Sequence, residues 1–237
     1  MICATDPLAV RIAVDPAQSV AGLLLAPPSA RACFVFAHGA GAGMNHSFMD
    51  AVALGLADRG IATLRYQFPY MERASKRPDT PALAHATVRA AVAQASQLLP
   101  DLRLVAGGKS FGGRMTSQAH AGTPLRGVRG LAFLGFPLHP AGKPASERAE
   151  HLRAVDSPML FLQGTRDELA DLGLLESLTR QLGERATLRL FEDADHSFHV
   201  PARSGRKDAD VLAELLDALV QWVDTACAAG PQPAATR

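Results

Sequence analysis

The chain has 237 residues, of which 48% are hydrophobic, enough for one sizeable core and without the long apolar run that a membrane span requires. Lysine plus arginine number 24 against 23 for aspartate plus glutamate, and a net charge of +1 gives no electrostatic reason to expect nucleic acid or an anionic membrane as partner. Cys3, Cys33 and Cys227 are too widely and irregularly spaced for a disulfide framework, and no basic N-terminal region precedes an apolar stretch, so a cytoplasmic location is expected.

In chain order, Val10 to Val14 and Val20 to Ala26 read as strands forming a hairpin at one sheet edge. Strand Ala32 to Ala37 runs into the glycine-rich turn Gly39 to Gly43, and a helical pattern covers Ser47 to Asp58. Strand Ile61 to Tyr66, helix Leu83 to Leu99, strand Leu102 to Ala106 and helix Phe111 to His120 follow, then strands Gly130 to Gly135 and Met159 to Gln163. Helix Leu172 to Leu182, strand Ala186 to Phe191 and helix Asp208 to Cys227 complete the pattern. Strands alternating with helices predict a mostly parallel sheet covered on both faces, a three-layer α/β/α sandwich in one domain over residues 1–227. Residues 228–237 are rich in Pro, Gly and Ala without apolar periodicity, and are expected to be a disordered tail.

The chemistry is concentrated where strands end. The strand from Leu102 runs into a Gly-x-Ser-x-Gly turn, with Gly108 and Gly112 flanking Ser110. A serine on so sharp a strand-to-helix turn needs neighbours without side chains, and its hydroxyl then stands exposed above the sheet. The helix starting at Phe111 aims unpaired N–H groups at the same spot, suited to an oxyanion on an attacked carbonyl. A serine hydroxyl needs a base, and the base needs an orienting acid. Asp167 follows the strand Met159 to Gln163, and His196 follows the strand Ala186 to Phe191, so nucleophile, acid and base come in Ser, Asp, His order. The Ala40 N–H, in the glycine-rich turn, is expected to join that of Phe111 in binding the oxyanion.

Together, Gly-Lys-Ser-Phe-Gly-Gly-Arg-Met, His-Gly-Ala-Gly-Ala-Gly-Met, Gly-Thr-Arg-Asp, Asp-His-Ser-Phe and Phe-Pro-Leu-His-Pro-Ala-Gly-Lys-Pro make the chain resemble an α/β-hydrolase of the compact dienelactone-hydrolase-like kind. It further resembles a small hydrolase family that includes a testis-expressed mammalian protein and the hydrolase-like region of a subunit of the chromatin NSL complex. The resemblance covers roughly residues 10 to 225 and implies an α/β-hydrolase fold, and the roughly twenty residues between Gly135 and Met159 are too few for a large lid. Dienelactone hydrolases carry cysteine where this chain has Ser110, which argues against a dienelactone substrate.

These features predict a serine hydrolase for an ester or thioester of a small soluble acyl substrate. A non-catalytic protein-interaction module on the same fold is the alternative. No HExxH, clustered Cys/His or EF-hand pattern occurs, so neither metal nor cofactor is expected. A Walker A reading of Gly108-Lys-Ser110 fails because its first glycine would fall on Arg103. Phe68, Tyr70, His139 and Phe198, with Met71, are the expected substrate-binding residues. His38 is expected to anchor its loop through a backbone hydrogen bond, and His46 to start a helix. Lys109 reads as filling a tolerant position and Arg114 as making a structural ion pair, with attraction of anionic substrates as the alternative for both, while the segment Phe136 to Pro144 either walls the pocket or is a rigid connection.

Overall fold

The computed structural model describes residues 6–227; the expected tail at 228–237 and Cys3 lie outside the described residues. Eight strands form one sheet: β1 (Leu8–Ala13), β2 (Ser19–Leu25), β3 (Ala32–Ala37), β4 (Ile61–Tyr66), β5 (Arg103–Lys109), β6 (Val128–Leu134), β7 (Met159–Gly164) and β8 (Ala186–Phe191). Their spatial order is β1-β2-β4-β3-β5-β6-β7-β8. β1 and β2 form an antiparallel hairpin and β2 also runs antiparallel to β4, while every pairing from β4 to β8 is parallel.

Strands β3, β4 and β7 are buried along their whole length, as expected of parallel strands covered on both faces. Period-two alternation divides their side chains between two cores. Cys33, Val35 and Ala37 of β3 join the core beneath α3 (Pro81–Leu98), α4 (Phe111–Gly122) and α5 (Leu172–Leu182). Ala32, Phe34 and Phe36 join the opposite core, closed by α1 (Ser47–Ala57) and α6 (Asp208–Thr225). This is the three-layer α/β/α sandwich of an α/β-hydrolase fold. Cys33 and Cys227 are buried and unpaired, and burial pushes each thiol up to about 12.

Helix starts follow local capping chemistry. Thr80 Oγ1 accepts from Leu83 N–H with Pro81 in the first turn of α3, and Asp171 Oδ1 accepts from Leu174 N–H at 2.9 Å to start α5. Among the elements without a sequence signal are α2 (Pro69–Glu72), too short to show a period, and a 3-10 helix at Glu147–Ala154, whose three-residue turn gives no 3.6-residue stripe. Strand β5 runs on to Lys109 instead of ending at Ala106, so the turn carrying Ser110 begins directly at the last paired residue. The only helix between β6 and β7 is the 3-10 helix, so no lid domain is inserted there. No described helix is long and apolar enough to cross a membrane.

Strand β5 packs so closely to β6 that a Cβ on Gly107 would lie 1.8 Å from the Ala132 carbonyl oxygen. Gly107→Ala should cost about 3 kcal/mol or more through a backbone clash, lowering the melting temperature by roughly 6–12 °C. Gly122→Ala, at the open end of α4 with no atom within 4 Å of the added Cβ, should leave it unchanged or raised. Circular dichroism melts of both variants check this.

Candidate active site

Ser110 sits at the carboxyl end of β5 as N-cap of α4, with φ 50° and ψ −115°. A positive φ at a non-glycine residue is strained, and the surrounding backbone enforces it. Ser110 N–H donates to Leu134 O at 3.1 Å, and Ser110 O accepts from Arg114 N–H at 3.1 Å. The flanking glycines are required by close approach to β3: a Cβ on Gly108 would lie 2.4 Å from Ala37 O, and one on Gly112 2.6 Å from both Ala37 O and His38 O.

Asp167 and His196 meet across the ends of β7 and β8. His196 Nδ1 lies 2.7 Å from Asp167 Oδ2, whose carboxylate is fully buried. Leu169 N–H donates to Asp167 Oδ1 at 2.8 Å and Gln163 Nε2 donates to Oδ2, so both oxygens of the side chain accept from neighbours that fix its orientation. A proton on Nδ1 toward Asp167 leaves Nε2 as the acceptor, the tautomer a general base needs. The neighbouring acids do other work. Glu168 is exposed, and Asp195 Oδ1 accepts from Ser197 and His199 N–H groups, folding the loop that presents His196. Gly164 lets β7 approach this loop, since a Cβ there would lie 2.2 Å from Ala194 O.

Ser110, Ala40, Lys109 and His196 line one cavity of about 740 Å³. Ser110 Oγ makes no direct hydrogen bond to His196, a contact that in hydrolytic sites often tightens only around substrate. Among the described residues the Ala40 and Phe111 N–H groups donate to no protein acceptor, leaving both available to an oxyanion. The turn is braced from below: His38 Nδ1 lies 2.7 Å from Gly39 O, its Nε2 accepts from Phe68 N–H at 3.0 Å, and Tyr70 Oη accepts from Gly41 N–H at 3.1 Å. Burial pushes His38 down to about 4, so it stays neutral in this supporting role.

Of the expected substrate-binding residues, only Phe198 reaches the cavity. Phe68 and Tyr70 are fully buried under the glycine-rich turn, edge-on to the Phe111 ring, and Met71 is not in the wall. His139 is also structural: its Nε2 accepts from Asp171 N–H at 2.7 Å and its Nδ1 lies 2.9 Å from Pro140 O, making the segment after β6 a rigid connection. The wall instead comes from Phe48 and Met49 of α1, Leu212 of α6, and Leu169. Their sequence signal is that of ordinary core positions on amphipathic helices, which hides them. His46 caps α1, accepting from Phe48 N–H at 3.2 Å, and also borders the cavity.

Lys109 has a larger part than a tolerant position implies. Its Nζ donates to the His196 carbonyl at 2.6 Å and lies 5.5 Å from the Phe198 ring centroid, so the residue before Ser110 tethers the loop carrying His196. Gly135, at φ 70°, makes room for both, because a Cβ there would lie 2.9 Å from Lys109 Nζ and 3.3 Å from His196 Nδ1. Another Ser–His contact, Ser117 Oγ to His151 Nε2 at 2.7 Å, lies away from this cavity and has no carboxylate behind the imidazole. No cluster of three or more His, Cys, Asp or Glu suited to a metal occurs among the described residues.

Burial pushes Lys109 down to about 8, against the opposing pull of Asp167 and Asp195. Between this value and the unfolded lysine's, about 10.4, the unfolded chain binds the extra proton, so this group makes stability rise with pH through that window. Lys109→Met should remove that contribution: its melting temperature relative to wild type should fall between pH 7.5 and pH 10, measured in parallel thermal melts.

The matches to known proteins agree with this fold. A lidless α/β serine hydrolase from Xanthomonas campestris superposes with a TM-score of 0.71 at 22% identity, covering 96% of this chain and 98% of that one. A dienelactone hydrolase from Anabaena variabilis gives a TM-score of 0.75 at 21% identity over 94% of this chain and 98% of its own. The esterase domain of a Rhodothermus marinus protein gives 0.70 at 17% identity over 92% and 98%. These likenesses carry the fold. Residues 30–224 match the family model described as "Alpha/beta hydrolase domain", and the chain belongs to that family.

Proposed function

We propose that the protein is a cofactor-independent serine hydrolase that cleaves an ester or thioester of a small substrate through an acyl-enzyme. The observation that carries this reading is the 2.7 Å His196–Asp167 pair opening onto the same cavity as Ser110 on its strained turn. Ser110 Oγ attacks the carbonyl carbon while His196 Nε2 takes its proton, and Asp167 stabilises the imidazolium. The tetrahedral oxyanion is held by the Ala40 N–H of the glycine-rich turn and the Phe111 N–H at the start of α4. Collapse breaks the bond to the leaving oxygen or sulfur, which takes the proton from His196. Water, activated by His196, then attacks the acyl carbonyl and regenerates Ser110. The apolar wall of Phe48, Met49 and Leu212 suits an uncharged acyl group. The finer kinship, to a testis-expressed mammalian protein and an NSL-complex subunit, rests on the resemblance of the five motifs and belongs to the same proposal.

A fluorophosphonate probe tests the assembled site without a known substrate. Stoichiometric labelling of Ser110, mapped by mass spectrometry, is expected in the wild type and none in Ser110→Ala. Labelling should slow by about 10²-fold or more in His196→Ala. A folded wild-type protein that takes no label would return the chain to the interaction-module reading.

The wall makes its own prediction. Leu212→Trp should lower kcat/KM for a p-nitrophenyl hexanoate roughly tenfold or more, while leaving the acetate within about threefold. Equal losses on both esters would remove this wall from the acyl site.

A further inference from the structure

One face of α4, outside the cavity wall, carries Arg114, Ser117 and Gln118, whose i, i+3 and i+4 spacing places them together. Helix α3 borders it on one side: His85 Nε2 lies 3.3 Å from Gln118 Oε1. The 3-10 helix Glu147–Ala154 borders it on the other, with His151 Nε2 2.7 Å from Ser117 Oγ. Ser117 Oγ donates to Arg114 O at 2.9 Å and therefore accepts from His151, leaving His151 Nδ1 without a proton.

Among the described residues the Arg114 guanidinium makes no hydrogen bond and no ion pair, although its Nε is closed off from solvent. The charge acting on it is another cation, Arg148 of the 3-10 helix, which also has no ion-pair partner among the described residues. The other charged or titratable groups around the patch are His85 and Arg89 of α3 and His151. Arg89 is occupied with the Ala119 and Thr123 carbonyls, and Glu147 and Glu150 of the 3-10 helix are exposed and pair with none of these groups. Elsewhere Arg31, Arg59, Arg65 and Arg73 each have an aspartate partner. Burial, Arg114 and His85 together push His151 down to about 4, the reverse of what a neighbouring carboxylate would do.

A partly buried guanidinium with no acceptor, beside a second one, is an arrangement that a bound oxyanion offsets. Arginine forks match the oxygens of a phosphate group, and a histidine that gains a proton on binding adds a further donor. We propose that Arg114, Arg148 and His151 form a binding site for a phosphate-type oxyanion on the α4 face. Two sources share this chemistry: inorganic phosphate, or a phosphate group on the substrate itself, since Arg114 lies one helical turn from Ser110.

Isothermal titration with inorganic phosphate, a measurement independent of catalysis, tests the site whatever the fate of the Ser110 reading. Saturable binding at one site is expected in the wild type, weakened about tenfold or more in both Arg114→Ala and Arg148→Ala. It should be unchanged in Arg180→Ala, whose arginine faces solvent beside Glu176. His151 should titrate at higher pH with phosphate present, followed in its imidazole NMR signals. The Arg114 side chain makes no hydrogen bond among the described residues, so its truncation should not unfold the protein, and Arg148→Ala provides an independent second variant. No saturable binding, or equal binding in Arg114→Ala and Arg180→Ala, would mean an adventitious ion only and overturn the proposal. Where binding is found, phosphate competing only against an ester with a phosphorylated leaving group assigns the anion to the substrate. Absence of such competition assigns the site to free phosphate.

Discussion

The candidate site depends on one backbone contact, the approach of the β5–α4 turn to the end of β3. Gly108 and Gly112 press against the Ala37 and His38 carbonyls at distances that exclude any side chain. That approach sets the glycine-rich turn beside Ser110, which is held at a positive φ. Such strain costs roughly 1–3 kcal/mol and persists only where its surroundings over-determine it. Here the two cores do so, one on each face of the sheet, together with the Leu134 and Arg114 backbone bonds on either side of Ser110.

Asp167 and His196 are positioned by different means, because each comes from a loop. Asp167 is fixed by donors from its own turn and from Gln163 of β7, so its carboxylate is ordered before His196 arrives. His196 is fixed from three directions: Asp167 at Nδ1, the self-bonded loop around Asp195, and the Lys109 ammonium on its carbonyl. The last contact puts the cation on the peptide oxygen and not on the ring. It holds the loop without taking either imidazole nitrogen from proton transfer. The Phe198 ring extends this arrangement, stacking on Phe48 at 5.9 Å and so joining the base-bearing loop to the start of α1.

What could be read in the sequence was whatever has a local cause. The Gly108, Ser110 and Gly112 spacing, the acid after β7 and the histidine after β8 are each written within a few residues, and the sheet follows from alternating apolar runs. Features set by distant packing were not legible. Phe68 and Tyr70 look like pocket aromatics beside a glycine-rich turn, yet they lie beneath it, and nothing local distinguishes the two sides. Phe48 and Leu212 are far apart in sequence and meet only because α1 and α6 cover the same face. An arginine on a helix usually belongs to an ion pair, and the lack of a partner for the Arg114 side chain emerges only once α3 and the 3-10 helix are in place. The tether made by Lys109 is hidden for the same reason, since its acceptor lies 87 residues away.

The two buried cysteines alter what the composition implies. Spacing that rules out a disulfide framework suggests a reducing compartment, but the Cys33 thiol is sealed inside the sheet and Cys227 is packed against Gly130 and the α6 core. With both pushed up to about 12, the thiolate fraction at neutral pH is on the order of one in 10⁵. Neither sulfur is presented to an oxidant, a metal or a partner thiol while the chain is folded. For these two residues the fold is indifferent to redox potential: it would stand as well in an oxidising environment as in a reducing one, and their chemistry begins only when the sheet opens.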